Sequence, residues 1–313
     1  MKKLIFIFLD GVGIGKADES NPFYTTKSQF LPFYEGSSGL PDQTPVKPID
    51  AALGVEGLPQ SATGQSTLFT GRNVPALLGE HKGSYPNKIM RKIIKEDNIL
   101  KKLGERGFNA RYINAYPKHA GLFSSPNIRL DDKGELHFSD KFPELFKRRV
   151  SATSTMLLAN LTVPFDEKDV LAKRSLFQDY SNNYLVDRGL HLPEYSPETA
   201  GEILFSVSRE YDFTLYEYFQ TDIFAHRRSF EEGSELIKKL DRLMGTLVSH
   251  LDKEKDTLLV TSDHGNIEDY SHRSHTLNPV PLLTYGKNAE FLRKRIVSIA
   301  DVTPAIIDFF GNK

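Results

Sequence analysis

The chain contains no cysteine, and this absence removes several kinds of chemistry at once. Without a thiol, the chain forms no disulfide, binds no metal through thiolates and has no cysteine nucleophile. Structural disulfides belong mainly to oxidising compartments, so a chain without cysteine fits a cytoplasmic enzyme. We therefore expect a cytoplasmic location.

The sequence also lacks an excess of charge of either sign. Its 313 residues include 40 Lys plus Arg and 41 Asp plus Glu, which gives a net charge of −1. Proteins that bind nucleic acids or membrane surfaces usually obtain affinity from a basic excess. We therefore expect neither nucleic acid nor a membrane as a partner. The composition gives no indication of the oligomeric state.

No apolar run approaches the length that a membrane span requires. The N-terminal run, residues 4–9, has only six residues and ends at Asp10. It is too short for the core of a secretion signal and far too short to cross a bilayer. Short apolar runs of this kind are typical of strands in parallel sheets that are covered on both faces.

Three segments have the same pattern, in which an apolar or aromatic strand leads into an aspartate. They are LIFIFL before Asp10, FTLYEYFQT before Asp222 and TLLVTS before Asp263. In open α/β sheets, ligands bind beyond the carboxyl ends of the strands. The three aspartates are therefore predicted to converge, although aspartate at the end of a single strand has no such meaning.

Apolar residues at helical spacing predict helices between these strands, at residues 87–104, 230–251 and 301–310. Strands that alternate with helices predict an α/β fold, with a mostly parallel sheet sandwiched by helices. Residues 1–80 and 206–313 are assigned to this core. The turn-rich residues 81–205 are predicted to form an inserted smaller α/β cap.

The predicted cap carries clustered basic residues, Lys147, Arg148 and Arg149. They either bind a phosphate of the substrate or form a solvated face, and the sequence does not distinguish these roles.

Imidazole and carboxylate side chains are concentrated near the C-terminus. Asp222 and His226 are four residues apart, which places them on one face of a helix. Asp263 and His264 are adjacent, and His275 follows. With Asp10, these side chains are sufficient for two metal ions with open coordination positions. The alternative is a polar surface loop, and His272 and Glu268 are interpreted as bystanders in either case.

The segment LPQSATGQSTLFTG, residues 58–71, places Ser61 at the start of a predicted helix. Backbone N–H groups and the helix dipole favour an anion at such a position. A hydroxyl near a divalent ion loses its proton more easily and becomes a nucleophile. The alternative is an ordinary N-cap.

The segment DGVGIGK is not a dinucleotide-binding motif, because Lys16 occupies the place of the third glycine. Its glycines are predicted instead to let the backbone pass close to an oxygen of the metal site.

These motifs resemble those of the alkaline phosphatase superfamily, most closely cofactor-independent phosphoglycerate mutase and phosphopentomutase. FLDGVGIG is similar to the first metal strand, QSATGQ to the nucleophile motif, DIFAHRR to one ligand pair, and TSDHGNIED with HTLNPVP to the C-terminal ligands. The resemblance covers residues 1–75 and 210–310, and the four motifs occur in the order of the family.

The resemblance implies two divalent metal ions, Mn²⁺ or Zn²⁺. One would be held by Asp222, His226 and His275, and the other by Asp10, Asp263 and His264 with the oxygen of Ser61. Ser61 aligns with the nucleophile because Gly64 follows it by three residues, and Thr63 and Ser66 are weaker candidates. The implied partner is a small phosphorylated metabolite.

The nucleophile motif departs from the mutases, which have Glu-Val-Gly-His where this chain has Ala62, Thr63, Gly64 and Gln65. The sequence therefore predicts the chemistry better than the substrate. The leading hypothesis is phosphoryl transfer through a phosphoserine. The alternatives are a metal-dependent phosphatase and a non-catalytic protein that binds a metal or a phosphorylated ligand. A sulfatase is not indicated, because the chain has neither cysteine nor the matching Pro-Ser-Arg sequence.

Overall fold

The computed structural model describes residues 2–39, 44–117 and 119–311. Six strands form one sheet, and four short strands form two separate hairpin-like pairs. The strands are β1 (Lys3–Leu9), β2 (Ser38–Gly39), β3 (Thr44–Pro45), β4 (Lys47–Ile49), β5 (Ala110–Tyr112), β6 (Ile128–Leu130), β7 (Leu136–Phe138), β8 (Phe213–Tyr218), β9 (Asp256–Ser262) and β10 (Val280–Gly286).

The helices range from single turns to the long helix α12. They are α1 (Pro22–Thr25), α2 (Ser61–Thr70), α3 (Val74–Leu78), α4 (Lys88–Glu96), α5 (Ile99–Glu105), α6 (Glu144–Lys147), α7 (Ala152–Ala159), α8 (Glu167–Leu171), α9 (Asn183–Val186), α10 (Pro197–Ser208), α11 (Gln220–Arg227), α12 (Phe230–His250), α13 (Ala289–Arg295) and α14 (Val302–Phe310), with a 3-10 turn at Ile299–Asp301. None of the helices in the described part of the chain is long and apolar enough to span a bilayer.

The central sheet has the strand order β4-β10-β9-β1-β8-β5. Strands β9, β1, β8 and β5 run parallel, and β10 and β4 add an antiparallel edge. Side chains of β1 alternate between two cores, because successive residues of a strand point to opposite faces. Ile5 and Ile7 pack with α10 and α12, whereas Phe6 and Phe8 pack with α2 and α14. This arrangement confirms the predicted mostly parallel sheet covered by helices.

The predicted helix at 87–104 is in fact two helices, α4 and α5. Asp97 adopts an extended backbone that ends α4, and the side chain of Asn98 accepts a hydrogen bond from the Lys101 N–H and so begins α5. Asparagine is a favoured N-cap, so the apolar stripe continues through a break that periodicity alone conceals. The helices predicted at 230–251 and 301–310 are α12 and α14.

The segment predicted as a cap, residues 81–205, contributes to the central sheet as well as to a small core of its own. Strand β5 pairs with β8 at the edge of the sheet. Farther along, Phe123, Ile128 and Phe142 belong to a separate apolar cluster around β6 and β7. The division into a core and an inserted cap stays a prediction.

Candidate active site

The register of the sheet brings the predicted aspartates to one edge. Leu9 at the end of β1 pairs with Ser262 of β9 and with Tyr218 of β8. Asp10 and Asp263 are therefore neighbours. Strand β8 ends before Asp222, which lies in the first turn of α11. The glycine at position 11 has φ +67, and a Cβ there would lie 2.7 Å from Oδ1 of Asp222, so the close approach requires glycine.

The first ligand group comprises Asp10, Asp263 and His264, and all three are buried. Nε2 of His264 lies 3.3 Å from Oδ1 of Asp10 and 3.6 Å from Oδ2 of Asp263. The Ser61 hydroxyl oxygen lies 3.0 Å from the same Nε2. The hydroxyl of the predicted nucleophile and the two carboxylates of this predicted metal group therefore all lie close to Nε2 of His264.

The second ligand group comprises Asp222, His226 and His275. Oδ1 of Asp222 lies 3.4 Å from Nε2 of His226 and 3.6 Å from Nε2 of His275. The two Nε2 atoms are 3.2 Å apart. His264 stacks on His275 with ring centroids 3.8 Å apart, so the two groups are continuous. Ligand atoms of Asp222, His264 and His275 also lie within 4.8 Å of one another, which leaves His264 within reach of both groups.

The three imidazoles have a common orientation, in which Nδ1 faces a backbone carbonyl and Nε2 faces the ligand groups. A carbonyl oxygen only accepts, so the neutral ring carries its proton on Nδ1 and presents the Nε2 lone pair. Metal-binding histidines have this arrangement. The contacts are His264 to the Gly265 oxygen at 3.3 Å, His226 to the Arg273 oxygen at 3.0 Å and His275 to the Pro59 oxygen at 2.7 Å.

The electrostatics of the site show a strong demand for positive charge. Burial and the neighbouring Asp263 carboxylate raise the pKa of Asp10 well above its ordinary value. Burial opposes a charge on His264, but Asp263 and Asp10 outweigh it and raise the pKa of His264 to about 10. Burial lowers the pKa of His275 to about 4. The carboxylates around His264 thus favour positive charge at this point of the cluster.

Several buried oxygen atoms of the cluster have no hydrogen-bond donor among the described residues. A metal ion would occupy their lone pairs instead. They include Oδ1 of Asp10, Oδ2 of Asp263 and Oδ1 of Asn266. Buried carboxylate oxygens without partners are costly and call for an explanation such as an ion. The donor set of carboxylates and imidazoles suits Mn²⁺ or Zn²⁺. The residues therefore fit the predicted metals.

Of the three hydroxyls proposed in helix α2, only that of Ser61 faces the ligand groups. Ser61 is the first helical residue and Gln60 is the N-cap, so Ser61 is not an ordinary cap. The Thr63 hydroxyl donates to the Gln60 carbonyl at 3.1 Å, and the Ser66 hydroxyl donates to the Ala62 carbonyl at 2.6 Å. Thr63 and Ser66 are fully buried and satisfied within the helix.

Two N–H groups in the first turn of α2 are not available to an anion. The Ala62 N–H donates to the Gly83 carbonyl at 2.8 Å, and the Thr63 N–H donates to the Lys82 carbonyl at 3.3 Å. The segment before α4 therefore satisfies donors that are free at most helix starts. Anion binding by the N–H of Ser61 itself stays a prediction, and the helix dipole favours negative charge at the same point.

Helix α2 approaches Asp263 closely because residue 64 is glycine. A Cβ at this position would lie 2.9 Å from the backbone oxygen of Asp263 and 3.1 Å from its Cβ. Any larger residue would push the start of α2, and with it Ser61, away from the first ligand group.

Glu268, which was interpreted as a bystander, is a fully buried organiser of the site. Its carboxylate accepts the N–H groups of Gly13 and Asn266, each at 2.7 Å, and also the side chains of Thr276 and Asn278. It thereby joins the loop after β1 to the loop after β9. His272 lies at the surface, 3.6 Å from the carboxylate of Asp269.

Two carboxamides contact the ligands and were not predicted. Nδ2 of Asn266 donates to Oδ1 of Asp222 at 2.7 Å, and Nε2 of Gln65 lies 3.4 Å from Oδ2 of Asp10. Gln65 follows Ser61 by one helical turn, and this spacing was the available signal for it. Asn266 lies three residues after Asp263 in an irregular loop, where spacing gives no such signal.

Residues 193–313, which contain five of the predicted ligands, match the family model of the metalloenzyme superfamily. Among curated proteins, the chain is similar to the 2,3-bisphosphoglycerate-independent phosphoglycerate mutase of Pseudomonas paraeruginosa, with 34% identity over 128 residues. The corresponding mutase of Paracoccus denitrificans is 28% identical over 123 residues. The first alignment covers 38% of this chain and 25% of the mutase, so the chain spans about a quarter of the length of that relative.

Among solved structures, the chain is similar to alkaline phosphatase from the Antarctic bacterium TAB5, with a TM-score of 0.55, 13% identity and coverage of 98% of this chain and 97% of the phosphatase. A variant of that phosphatase with bound Mg has a TM-score of 0.53, at 14% identity and with 98% of each chain covered. The lipoteichoic acid synthase LtaP from Listeria monocytogenes has a TM-score of 0.51, at 9% identity, over 100% of this chain and 72% of the synthase. These likenesses show the fold. The sequence matches confirm the predicted resemblance to metalloenzymes and to the phosphoglycerate mutases, and the solved structures confirm the predicted alkaline-phosphatase-like fold.

Proposed function

We propose that this metalloenzyme transfers phosphoryl groups on small phosphomonoesters through a phosphoserine at Ser61. The observation that carries the proposal is the position of the Ser61 hydroxyl oxygen, 3.0 Å from Nε2 of His264, at the point where the two ligand groups meet. The resemblance to phosphoglycerate mutases supports transfer between two positions of one metabolite.

In this proposal, Asp10, Asp263 and His264 hold one divalent ion, and Asp222, His226 and His275 hold the other. Two such ions supply positive charge that offsets the charge developing on the attacking and leaving oxygens. Mn²⁺ and Zn²⁺ both suit these ligands, and either ion would bind the neutral form of each imidazole through its Nε2 lone pair.

The chain's own contribution is to aim the Ser61 oxygen and to shield the reaction. Helix α2 fixes Ser61 beside the first ligand group, and the buried neighbours of that group limit access of water. Transfer forms a bond between the Ser61 oxygen and phosphorus and breaks the ester P–O bond, and the hydroxyl proton passes to the departing oxygen, directly or through water. A second hydroxyl of the substrate then forms an O–P bond as the bond between phosphorus and the Ser61 oxygen breaks, and the proton of that hydroxyl passes to the Ser61 oxygen.

A metal-dependent phosphatase is the second candidate. The chain covers nearly the whole length of the TAB5 alkaline phosphatase fold but only about a quarter of the mutase. If the predicted cap is too small to retain the dephosphorylated substrate after the first transfer, the substrate leaves. Water then takes the phosphoryl group from Ser61 in place of the second hydroxyl of the substrate. For Lys147, Arg148 and Arg149 of the predicted cap, a phosphate site and a solvated face stay open, and Lys147 forms an ion pair with Glu144 at 2.7 Å.

The test is a panel of phosphorylated sugars and glycerates with added Mn²⁺, in which isomer formation and phosphate release are followed together. An isomer without free phosphate supports the mutase, and free phosphate supports the phosphatase. Ser61→Ala should abolish either activity while Mn²⁺ still binds. Ser66→Ala, which removes a hydroxyl from the same helix that faces only the Ala62 carbonyl, is the matched control and should remain active. A Ser61→Ala variant with full activity would overturn the phosphoserine at Ser61, whereas Mn²⁺ binding by the unmodified chain without activity on any substrate of the panel would leave only a role in binding.

A further inference from the structure

Asn266 lies between the two side chains of the second ligand group that come from helix α11. It is 1% exposed. Its Nδ2 donates to Oδ1 of Asp222 at 2.7 Å and lies 3.1 Å from Nε2 of His226. Oδ1 of Asp222 is the same oxygen that His226 and His275 face. One amide group therefore contacts the atoms at which this group would bind its ion.

The backbone of Asn266 is fixed independently of its side chain. Its N–H donates to Oε2 of Glu268 at 2.7 Å, and the same oxygen accepts the N–H of Gly13 at 2.7 Å. Glu268 is itself fully buried. The carboxamide of Asn266 is therefore presented from a rigid loop that is tied to the end of β1, whereas Asp222 and His226 belong to a half-exposed helix.

A carboxylate can rotate about its own axis and present either oxygen, so a ligand on a short helix needs an external partner to fix it. The Nδ2–H group of Asn266 provides this partner for Asp222. A carboxylate oxygen has two lone-pair sites, so Oδ1 of Asp222 can accept this hydrogen bond and bind an ion at the same time. Outer partners of this kind orient metal ligands and tune their affinity.

We propose that Asn266 is a positioning residue, whose amide donation to Asp222 holds Asp222 and His226 in the geometry that binds the second divalent ion. This inference rests on the two-metal site of the proposed function, but it does not depend on the reaction that the site performs. The competing possibility is that the carboxamide turns over on metal binding, so that its oxygen becomes a ligand. Oδ1 of Asn266 has no hydrogen-bond partner among the described residues, so it is free to act as the ligand in this alternative.

The experiment measures Mn²⁺ binding to the whole chain by calorimetry and by electron paramagnetic resonance of free Mn²⁺. Asn266→Asp keeps the shape and an oxygen ligand but removes the donor, and Asn266→Ala removes both. We expect each variant to lower the affinity for one of the two Mn²⁺ ions by about 10- to 100-fold, which is typical when a residue that hydrogen-bonds to a metal ligand is lost. The ion at Asp10, Asp263 and His264 should still bind, and its retention shows that the variant is folded.

Combination with Asp222→Asn separates positioning from a general structural effect. In that background the second group has already lost its carboxylate, so Asn266→Ala should cause no further loss of Mn²⁺ affinity. An equal loss in both backgrounds would overturn the proposal. Mn²⁺ binding to Asn266→Asp as tight as in the unmodified chain would also overturn it, in favour of an oxygen ligand.

The unmodified chain distinguishes this inference from the proposed function. If the unmodified chain binds two Mn²⁺ ions but transfers no phosphoryl group on any substrate, the proposed function is contradicted. The Mn²⁺ affinities of the Asn266 variants would then still test the positioning role of Asn266. Fewer than two bound ions would contradict both, because the second group would then have no ion to position.

Discussion

The two ligand groups differ in burial and in the elements that carry them. Asp263 and His264 are completely inaccessible to solvent, and Asp10 is 8% exposed. In the other group, the side chain of His226 is 34% exposed and that of Asp222 is 18% exposed. The first group follows directly from the ends of adjacent parallel strands, and the second comes from a short helix and a loop.

The difference shows two ways in which candidate metal ligands are brought together at one edge of the sheet. Strand register alone makes Asp10 and Asp263 neighbours, because Leu9 pairs with Ser262. The second group needs outside contacts, namely the Pro59 and Arg273 carbonyls and the Asn266 amide. We therefore expect the first group to bind its ion more tightly and the second to depend more on its surroundings.

The largest effect should come from breaking the buried group. Asp263→Asn removes the negative charge of a fully buried ligand, and water cannot reach this position to bind the ion in its place. The Mn²⁺ affinity should therefore fall by more than about 100-fold, which exceeds the effect of losing a residue that only orients a ligand. His226→Ala, in the exposed group, leaves space for water, and the loss should be closer to about 10-fold. Calorimetric Mn²⁺ titration of both variants measures the difference. Equal losses would contradict the distinction between the groups.

The second prediction concerns Glu217, a buried carboxyl on β8 whose pKa is influenced by Asp263. Burial raises the pKa of Glu217 from 4.5 to about 7, although the Tyr112 hydroxyl donates to it at 2.7 Å. The folded state therefore holds this proton more tightly than the unfolded state. Its contribution to stability is complete below pH 4.5 and is lost as the pH rises through 7.

Over that interval the free energy of unfolding should fall by roughly 3 kcal/mol on account of this group. Glu217→Gln is neutral throughout, so this part of the pH dependence should disappear. Urea unfolding at a series of pH values measures it, with the exposed Glu210→Gln as the control. A slope unchanged in Glu217→Gln would show that the interior beside the first group is more polar than its burial suggests.

A smaller effect should follow from moving helix α2 relative to the first group. Gly64→Ala places a Cβ against the backbone of Asp263, and overpacking of this kind costs about 1–3 kcal/mol. Gly104→Ala is the matched control, since no atom lies within 4 Å of a Cβ there, and alanine should stabilise helix α5 by up to about 1 kcal/mol. Thermal unfolding of both variants should therefore shift in opposite directions.

The smallest effect should come from His272, which shares the loop of the ligands but lies at the surface. His272→Ala should change the free energy of unfolding by no more than about 0.5 kcal/mol, as is usual for surface substitutions. Its Mn²⁺ affinity should match that of the unmodified chain. A clear loss of Mn²⁺ affinity would place a ligand outside the two groups.

The first ligand group could be predicted because its geometry is local to the strands. An apolar run that ends in aspartate specifies a strand end, and parallel neighbours bring such ends together. Helix α12 was predictable for a similar reason, since its apolar stripe runs without interruption from Leu236 to Val248.

Other features could not be predicted, because they depend on contacts between distant segments. The break between α4 and α5 is encoded by a single N-cap, Asn98, that leaves the apolar stripe intact. Glu268 was interpreted as a bystander, yet it is fully buried and accepts hydrogen bonds from four donors in three segments. The Ala62 and Thr63 N–H groups of α2 are occupied by the carbonyls of Gly83 and Lys82, which lie about twenty residues farther along the chain. Periodicity and spacing carry no information on such pairings.

The most direct measurement is a crystal structure grown with Mn²⁺ and recorded at the manganese absorption edge. The account predicts two anomalous peaks per chain, one among Asp10, Asp263 and His264 beside the Ser61 oxygen and the other among Asp222, His226 and His275. Peaks elsewhere in the molecule, or a single peak that leaves one of these groups without an ion, would contradict it.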